Sequence, residues 1–212
     1  ESGWKEPYII QKNISMNQVD IRIDEEDQVY GIFNNENGEI YYLYTNNNSI
    51  LCEKLFEYDN DNYIIKYPNI IKINSTMHIL YYIQSSDNNN SWGIIHHYYN
   101  GEAWTQNNVV MIKAFPIINP FSIIEASDSL GLFYFNNIEG AEEIVYSTFD
   151  FKNNLWKSPK QITNNKNKKL YLNVLKGNAN LVHITWSEFI NENLVVQYLK
   201  TTSKGEGNKI EY

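Results

Sequence analysis

A chain of 212 residues with a formal net charge of −8 is long enough to bury one sizeable core, and no Pro/Gly/Ser-rich linker divides it, so residues 1–212 read as a single domain. Nucleic acids and anionic membranes are held by clustered Lys and Arg. The one basic excess, Lys166, Lys168 and Lys169, lies in an Asn-rich turn and reads as a solvated loop, so no nucleic-acid partner is expected. The longest apolar runs fall far short of the roughly 20 residues of a membrane helix, and no membrane insertion is expected.

The first element, Gly3-Trp4-Lys5-Glu6-Pro7 with Ile10, returns as Ala103-Trp104-Thr105 with Val110 and as Leu155-Trp156-Lys157-Ser158-Pro159 with Ile162. The Trp-to-aliphatic distance is six residues each time, which marks an internal repeat. Segments 18–23, 67–73, 120–126 and 170–175 alternate or cluster apolar residues over strand-like lengths. Each leads into a run that ends on an aromatic, at Phe33, Tyr82, Phe135 and Trp186, spaced by 49, 53 and 51 residues. An apolar-x-ring pattern then follows at Ile40/Tyr42, Ile95/His97, Ile144/Tyr146 and Val196/Tyr198. Turn-rich stretches at 34–38, 85–91, 136–140 and 176–178 separate these runs, so each unit reads as four short strands. Tyr, Ile, Val, Phe and Trp dominate the apolar content, which suits pleated sheets, and no window supports a long amphipathic helix.

The Trp-bearing fourth strand occurs at Trp4, Trp104 and Trp156, with a Trp-less version at Ile50-Leu51-Cys52. After the last unit, 201–207 is polar and glycine-containing. The prediction is an all-β fold, a β-propeller of four-stranded antiparallel blades, with four blades closed by the N-terminal strand: residues 4–11 pair beside 194–200 and leave no open edge. In the alternative, Lys209-Ile210-Glu211-Tyr212 begins the fourth blade's own outer strand and the chain is part of a larger propeller. The three Trp positions are expected to pack alike between blades. Cys52, alone among apolar neighbours, reads as a small buried hydrophobe. The 32 asparagines fall mostly at turns, where Asn tolerates left-handed backbone.

Units ending in an aromatic and polar residues, then "EIYYLY" or "EIVYST", then W-x-x-P and an aliphatic, resemble the repeats of sialidase-type (BNR-like) propellers. Ser85, Asp87 and Trp92 match the Asp-box of that superfamily, S-x-D-x-G-x-T-W, with Asn89 standing for Gly and Ser91 for Thr. The box implies a folding turn and no catalysis. Sialidase chemistry, as the resemblance implies it, needs three arginines to clamp a carboxylate, and this chain has only Arg22. Sialidase activity is therefore not expected.

Other glycosidases need two carboxyl groups about 5–10 Å apart. Asp20, Asp24 and Glu125 lie on the inner strands, and Glu25, Glu26, Asp27 and Asp128 on turns. Asp20 shares a face with Arg22 at period two and reads equally as a structural ion pair. His96 and His97 are adjacent on a strand and point to opposite faces; His78 and His183 occupy corresponding strands, and no zinc-type spacing is present. No metal and no cofactor is expected.

The leading expectation is then a non-catalytic, extracellular or cell-surface binding propeller of bacterial type, with a glycan or protein as ligand. Rings beside turn amides serve such recognition, and the candidate ligand-binding residues are Trp92, Asp87, Tyr98, Tyr99, Asn37 and Glu139. The alternatives are a glycoside hydrolase with carboxylates at the channel mouth, and a structural scaffold.

Overall fold

In a computed structural model the described residues form strands and no helix, arranged in four antiparallel sheets. The structure describes residues 9, 10, 12, 14, 18–47, 49–85, 92–112, 119–126, 129–178, 180–202 and 209–211, with the side chains of 107–112 and 209–211 excepted.

Sheet 1 runs β1 (Val19–Ile23), β2 (Val29–Asn34), β3 (Glu39–Asn46) and β4 (Ser49–Glu57) in simple sequence order. Sheet 2 repeats this with β5 (Tyr63–Ile73), β6 (Thr76–Ser85), β7 (Trp92–Tyr99) and β8 (Trp104–Ile112). Sheet 3 comprises β9 (Phe121–Ala126), β10 (Ser129–Ile138) and β11 (Ala141–Asp150). Its outer position is shared by the short β12 (Leu155–Trp156) and β13 (Lys160–Gln161), both paired to β11. Pro159 lies between them, where an outer strand tolerates the missing donor. Sheet 4 comprises β14 (Lys169–Lys176), β15 (Leu181–Ile190), β16 (Asn193–Thr202) and β17 (Lys209–Glu211). All four inner strands fall on segments that the apolar pattern marks.

Two-residue hairpins at Asn74-Ser75, Glu139-Gly140 and Asn191-Glu192 have both central residues at positive φ, between 48° and 85°. Such turns match the twist of the flanking strands, and Asn enters left-handed backbone more cheaply than most side chains. Part of the Asn content is thereby explained.

The inner strands β1, β5, β9 and β14 lie side by side in that order. Three apolar clusters fill the gaps between consecutive sheets: Ile32, Ile40, Ile79 and Tyr81 between sheets 1 and 2, Leu80, Tyr82, Leu132 and Phe149 between 2 and 3, and Ile144, Tyr146, Ile184 and Trp186 between 3 and 4. Among the described residues no cluster joins sheet 4 to sheet 1. The strand beside Tyr198–Lys200 is β17, on the edge of sheet 4 where residues 4–11 are expected to pair. Residues 4–8 lie outside the described residues, and Ile9 and Ile10 are exposed.

Trp104 of β8 packs edge-on against Tyr42 and Phe56 of sheet 1, and Trp156 of β12 packs edge-on against His96 of sheet 2. Each outer-strand Trp therefore reaches back to the preceding sheet; Trp4 lies outside the described residues. Two expectations are corrected. Cys52 is exposed, because β4 is the outer strand of sheet 1 and its residues 51–54 all face solvent. Lys169 is fully buried and not solvated, since its Nζ lies 3.0 Å from the buried carboxylate of Glu143.

Candidate active site on the propeller axis

All four inner strands contribute to one pocket of about 200 Å³ at the end where they begin. Asp20 comes from β1, Tyr67 and Asn69 from β5, Asn119 and Ser122 from the entry to β9, and Asn173 from β14. The pocket therefore lies where the inner strands converge, on the axis of the stacked sheets.

Its shape comes from irregular backbone. The register of β5 slips between Lys66 and Asn69, and that of β14 between Leu170 and Asn173. Tyr67 and Tyr171 sit in these bulges with φ of 55° each, and Asn119 holds φ 52° at the corresponding entry to β9. Tyrosine in left-handed backbone is rare and costs about 1–3 kcal/mol, and bulges re-aim side chains near sites. In both bulges an amide holds the turn: Asn69 Nδ2 donates to Tyr67 O at 3.0 Å and Asn173 Nδ2 to Tyr171 O at 3.3 Å. Burial pushes the Tyr67 phenol up from its ordinary value.

Asp20 is the one carboxylate lining this pocket among the described residues. Its Oδ2 accepts from Arg22 Nε at 3.1 Å and from the backbone N–H of Ile70 on the neighbouring inner strand at 2.9 Å. The pairing with Arg22 expected from period two is present, but the same group also faces the pocket.

The other inner-strand carboxylates are engaged elsewhere. Asp24 takes Lys72 Nζ at 2.8 Å and the N–H groups of Gln28 and Glu26 at 2.9 and 3.0 Å. These bonds, led by Lys72, hold it below the ordinary carboxylate value. It stands four residues from Asp20, about 13 Å along a strand at roughly 3.3 Å per residue, beyond the span of a glycosidase pair. Glu125 takes Lys176 Nζ at 3.4 Å. The two pairs are equivalent, each joining a lysine near the end of one inner strand to an acid on the strand before it. Glu25, Glu26 and Asp27 are exposed in a turn, and Asp128 lies outside the described residues.

The ligand-binding candidates do not meet in one place. Trp92 is buried, its ring centroid 5.0 Å from that of Tyr82, and Asp87 lies outside the described residues. Asn37 and Glu139 are exposed on second-to-third-strand turns at the rim of the axial pocket. Tyr98 and Tyr99 end β7 at the opposite rim, where Tyr98 lines a cleft with His78 and Phe149. The axial residues Tyr67, Asn69, Asn119, Ser122 and Asn173 were not among the candidates. Their signal is the aromatic-x-Asn of Tyr67-Pro68-Asn69 and Tyr171-Leu172-Asn173 at the bulges of β5 and β14.

His96 and His97 face opposite ways as expected: His96 Nε2 meets His78 Nδ1 at 3.0 Å, and His97 Nε2 meets Tyr81 OH at 2.7 Å. No group of three or more His, Cys, Asp and Glu is placed to hold a metal among the described residues.

No family model and no curated protein sequence matches the chain. Solved structures do. An α-L-arabinofuranosidase from Fusarium graminearum, in complex with an iminosugar inhibitor, is similar with a TM-score of 0.69 and 13% identity over 94% of this chain and 67% of that one. An endo-arabinase from Bacteroides thetaiotaomicron gives 0.58 and 13% over 92% and 79%. An ulvan lyase gives 0.60 and 10% over 98% of this chain and 59% of that one. At such identity the likeness is one of fold, of β-propeller type, and the sialidase-type resemblance extends no further than that. The neighbours are mainly glycoside hydrolases, which overturns the expectation of a non-catalytic binding module.

Proposed function

We propose that the chain is the propeller of a glycoside hydrolase that binds a polysaccharide across the axial pocket, with Asp20 as a catalytic carboxylate. The observation that carries this is the convergence of Asp20 with two inner-strand bulges and the entry to β9, all held in left-handed backbone, since strain of this kind collects at sites where a side chain must be aimed. Two N–H donors on Oδ2 fix the orientation of the carboxyl group, and Oδ1 has no bond among the described residues. Asp20 fills one of the two carboxyl roles of glycoside hydrolysis. The amides of Asn69, Asn119 and Asn173 and the hydroxyl of Ser122 supply donors and acceptors for sugar hydroxyls. Fold neighbours that act on arabinose- and galactose-containing glycans support this substrate class, and a polymeric substrate places the protein outside the cell or on its surface.

The test is release of reducing ends from arabinan, galactan and ulvan by the protein and by Asp20→Asn. Activity on one of these, lowered about 10²–10⁴-fold in the variant, is expected. Full activity in Asp20→Asn refutes the assignment, and formation of unsaturated ends in place of simple hydrolysis products makes the protein a lyase.

A further inference from the structure

A second cleft, of about 300 Å³, opens between sheets 1 and 2 on the same rim. It is lined by Gln18, Asn34, Tyr63 and Lys66 together with the 35–38 turn and Asn60. Gln18 precedes Val19 and Lys66 precedes Tyr67, and Val19 and Tyr67 line the axial pocket, so the two cavities adjoin through both strands. We infer that this cleft is a saccharide subsite continuing the axial pocket, and that the ligand is an oligosaccharide chain lying radially across the rim. The inference rests on the glycan-binding reading above for the class of ligand.

The chemistry of the lining selects a neutral hydrogen-bond donor. Asn34 is 4% exposed, and its Nδ2 donates to Ile65 O at 3.3 Å. Gln18 Nε2 donates to the same oxygen at 3.4 Å. Both amide nitrogens are thereby turned to one carbonyl, and both amide oxygens, Asn34 Oδ1 and Gln18 Oε1, are buried without a hydrogen-bond partner among the described residues. Buried acceptors without donors are costly, and two of them on residues that line one cleft call for a ligand that donates more than one hydrogen bond. Vicinal sugar hydroxyls do so. A carboxylate or phosphate does not.

The rest of the cleft is built for a ring. Tyr63 is 40% exposed and held edge-on by Tyr58 at 6.1 Å, so it offers a fixed apolar face to a sugar. The opposite wall is the 35–38 turn, tied down by Tyr58 N–H to Gly38 O at 3.0 Å and Asn60 Nδ2 to Glu36 O at 2.5 Å. Gly38 has φ +75°, and a Cβ there would collide with Tyr58 O and Asn60 Oδ1, so only glycine lets this wall approach so closely.

The experiment is calorimetric titration of arabinose and of arabino-oligosaccharides of increasing length into Asp20→Asn, which keeps the probe intact. It is repeated with Asn34→Leu or Tyr63→Ala added. Affinity is expected to rise at least about tenfold, about 1.4 kcal/mol, between the monosaccharide and the lengths that reach the cleft. Either added substitution should flatten that rise and leave monosaccharide affinity unchanged. Tyr63→Ala keeps the test open if Asn34→Leu unfolds, because Tyr63 is partly exposed. Binding that does not grow with length, growth that survives both substitutions, or no binding of any probe overturns the inference. Length-dependent binding lost in the cleft variants, in a protein without turnover, refutes only the hydrolase reading.

Discussion

Replacing Lys169 by Met should be among the most destabilising single changes in the fold. The side chains of Lys169 and Glu143 are 0% and 2% exposed and meet at 3.0 Å. Lys169 Nζ also donates to Glu142 O, Asn165 Oδ1 and Asn167 O at 2.8–2.9 Å. Glu143 accepts from Thr163 Oγ1 at 2.6 Å and from the N–H groups of Asn165 and Lys166 at 3.1 and 2.8 Å. The pair thus pins the connection between sheets 3 and 4. Removing one member of a buried pair leaves an uncompensated charge and costs about 3–5 kcal/mol. In a domain of this length each kcal/mol moves Tm by about 2–4 °C, so a fall of about 6–20 °C is expected. Burial by itself would raise the Glu143 pKa, but bonds from Thr163, the Lys166 N–H and Lys169 outweigh it and hold the group below its ordinary value of 4.5. Its contribution is therefore full above 4.5 and lost as pH falls through the lower folded value, and Lys169→Met should flatten that acid limb. Thermal melts followed by circular dichroism, at neutral pH and through the acid range, measure both effects. A Tm lowered by less than about 2 °C at neutral pH would refute the argument, because it would mean a cost under about 1 kcal/mol.

Trp104→Ala and Trp156→Ala should destabilise to a similar extent, at or below the lower end of the about 3–5 kcal/mol for fully buried rings, since both are partly buried in equivalent inter-sheet contacts; unequal urea midpoints would break the equivalence. His78 and His97 are each pushed down to about 4 by burial. The unfolded chain then takes up protons near 6.5 that the folded chain refuses, so stability is full above that value and falls toward pH 4, by up to about 1.4 kcal/mol per pH unit for each histidine. A urea midpoint unchanged from pH 7 to 5 would contradict their burial as neutral rings. Asp24→Asn and Glu125→Gln should leave turnover of any polysaccharide substrate intact, because both carboxylates serve lysines on the next inner strand; loss of turnover with retained folding in either would move the catalytic centre down the channel.

The strands were legible in the sequence because their signals are local. Apolar period, ring positions such as Phe33, Tyr82, Phe135 and Trp186, and Asn-rich turns all act within a few residues. The outer strand of sheet 4 was harder to place, because Lys209-Ile210-Glu211 carries no Trp and the Trp-bearing segment at the N-terminus offered a rival for the same edge. Lys169 illustrates a different failure. Its neighbours Lys166 and Lys168 are exposed as a basic turn should be, and nothing within the turn shows that Glu143, on another sheet, comes within salt-bridge distance.

The candidate site was less legible for the same reason. Asp20, Asp24 and Glu125 look alike as acids on inner strands, and what separates them is the offset between neighbouring sheets. That offset sets Lys72 beside Asp24 and Lys176 beside Glu125, and gives Asp20, among the described residues, its own Arg22 and a backbone N–H of β5. The bulges at Tyr67 and Tyr171 open the pocket at the other end of the inner strands, where no lysine pairs with Asp20 among the described residues. A pair of Lys–acid bridges therefore closes the chemistry of one half of the axis, and strained backbone opens the other. Both depend on register between blades, which single-strand periodicity does not encode. The aromatic-x-Asn sequence at two inner-strand bulges is the nearest local trace of it, and it gains meaning once those bulges are seen to converge on one carboxylate.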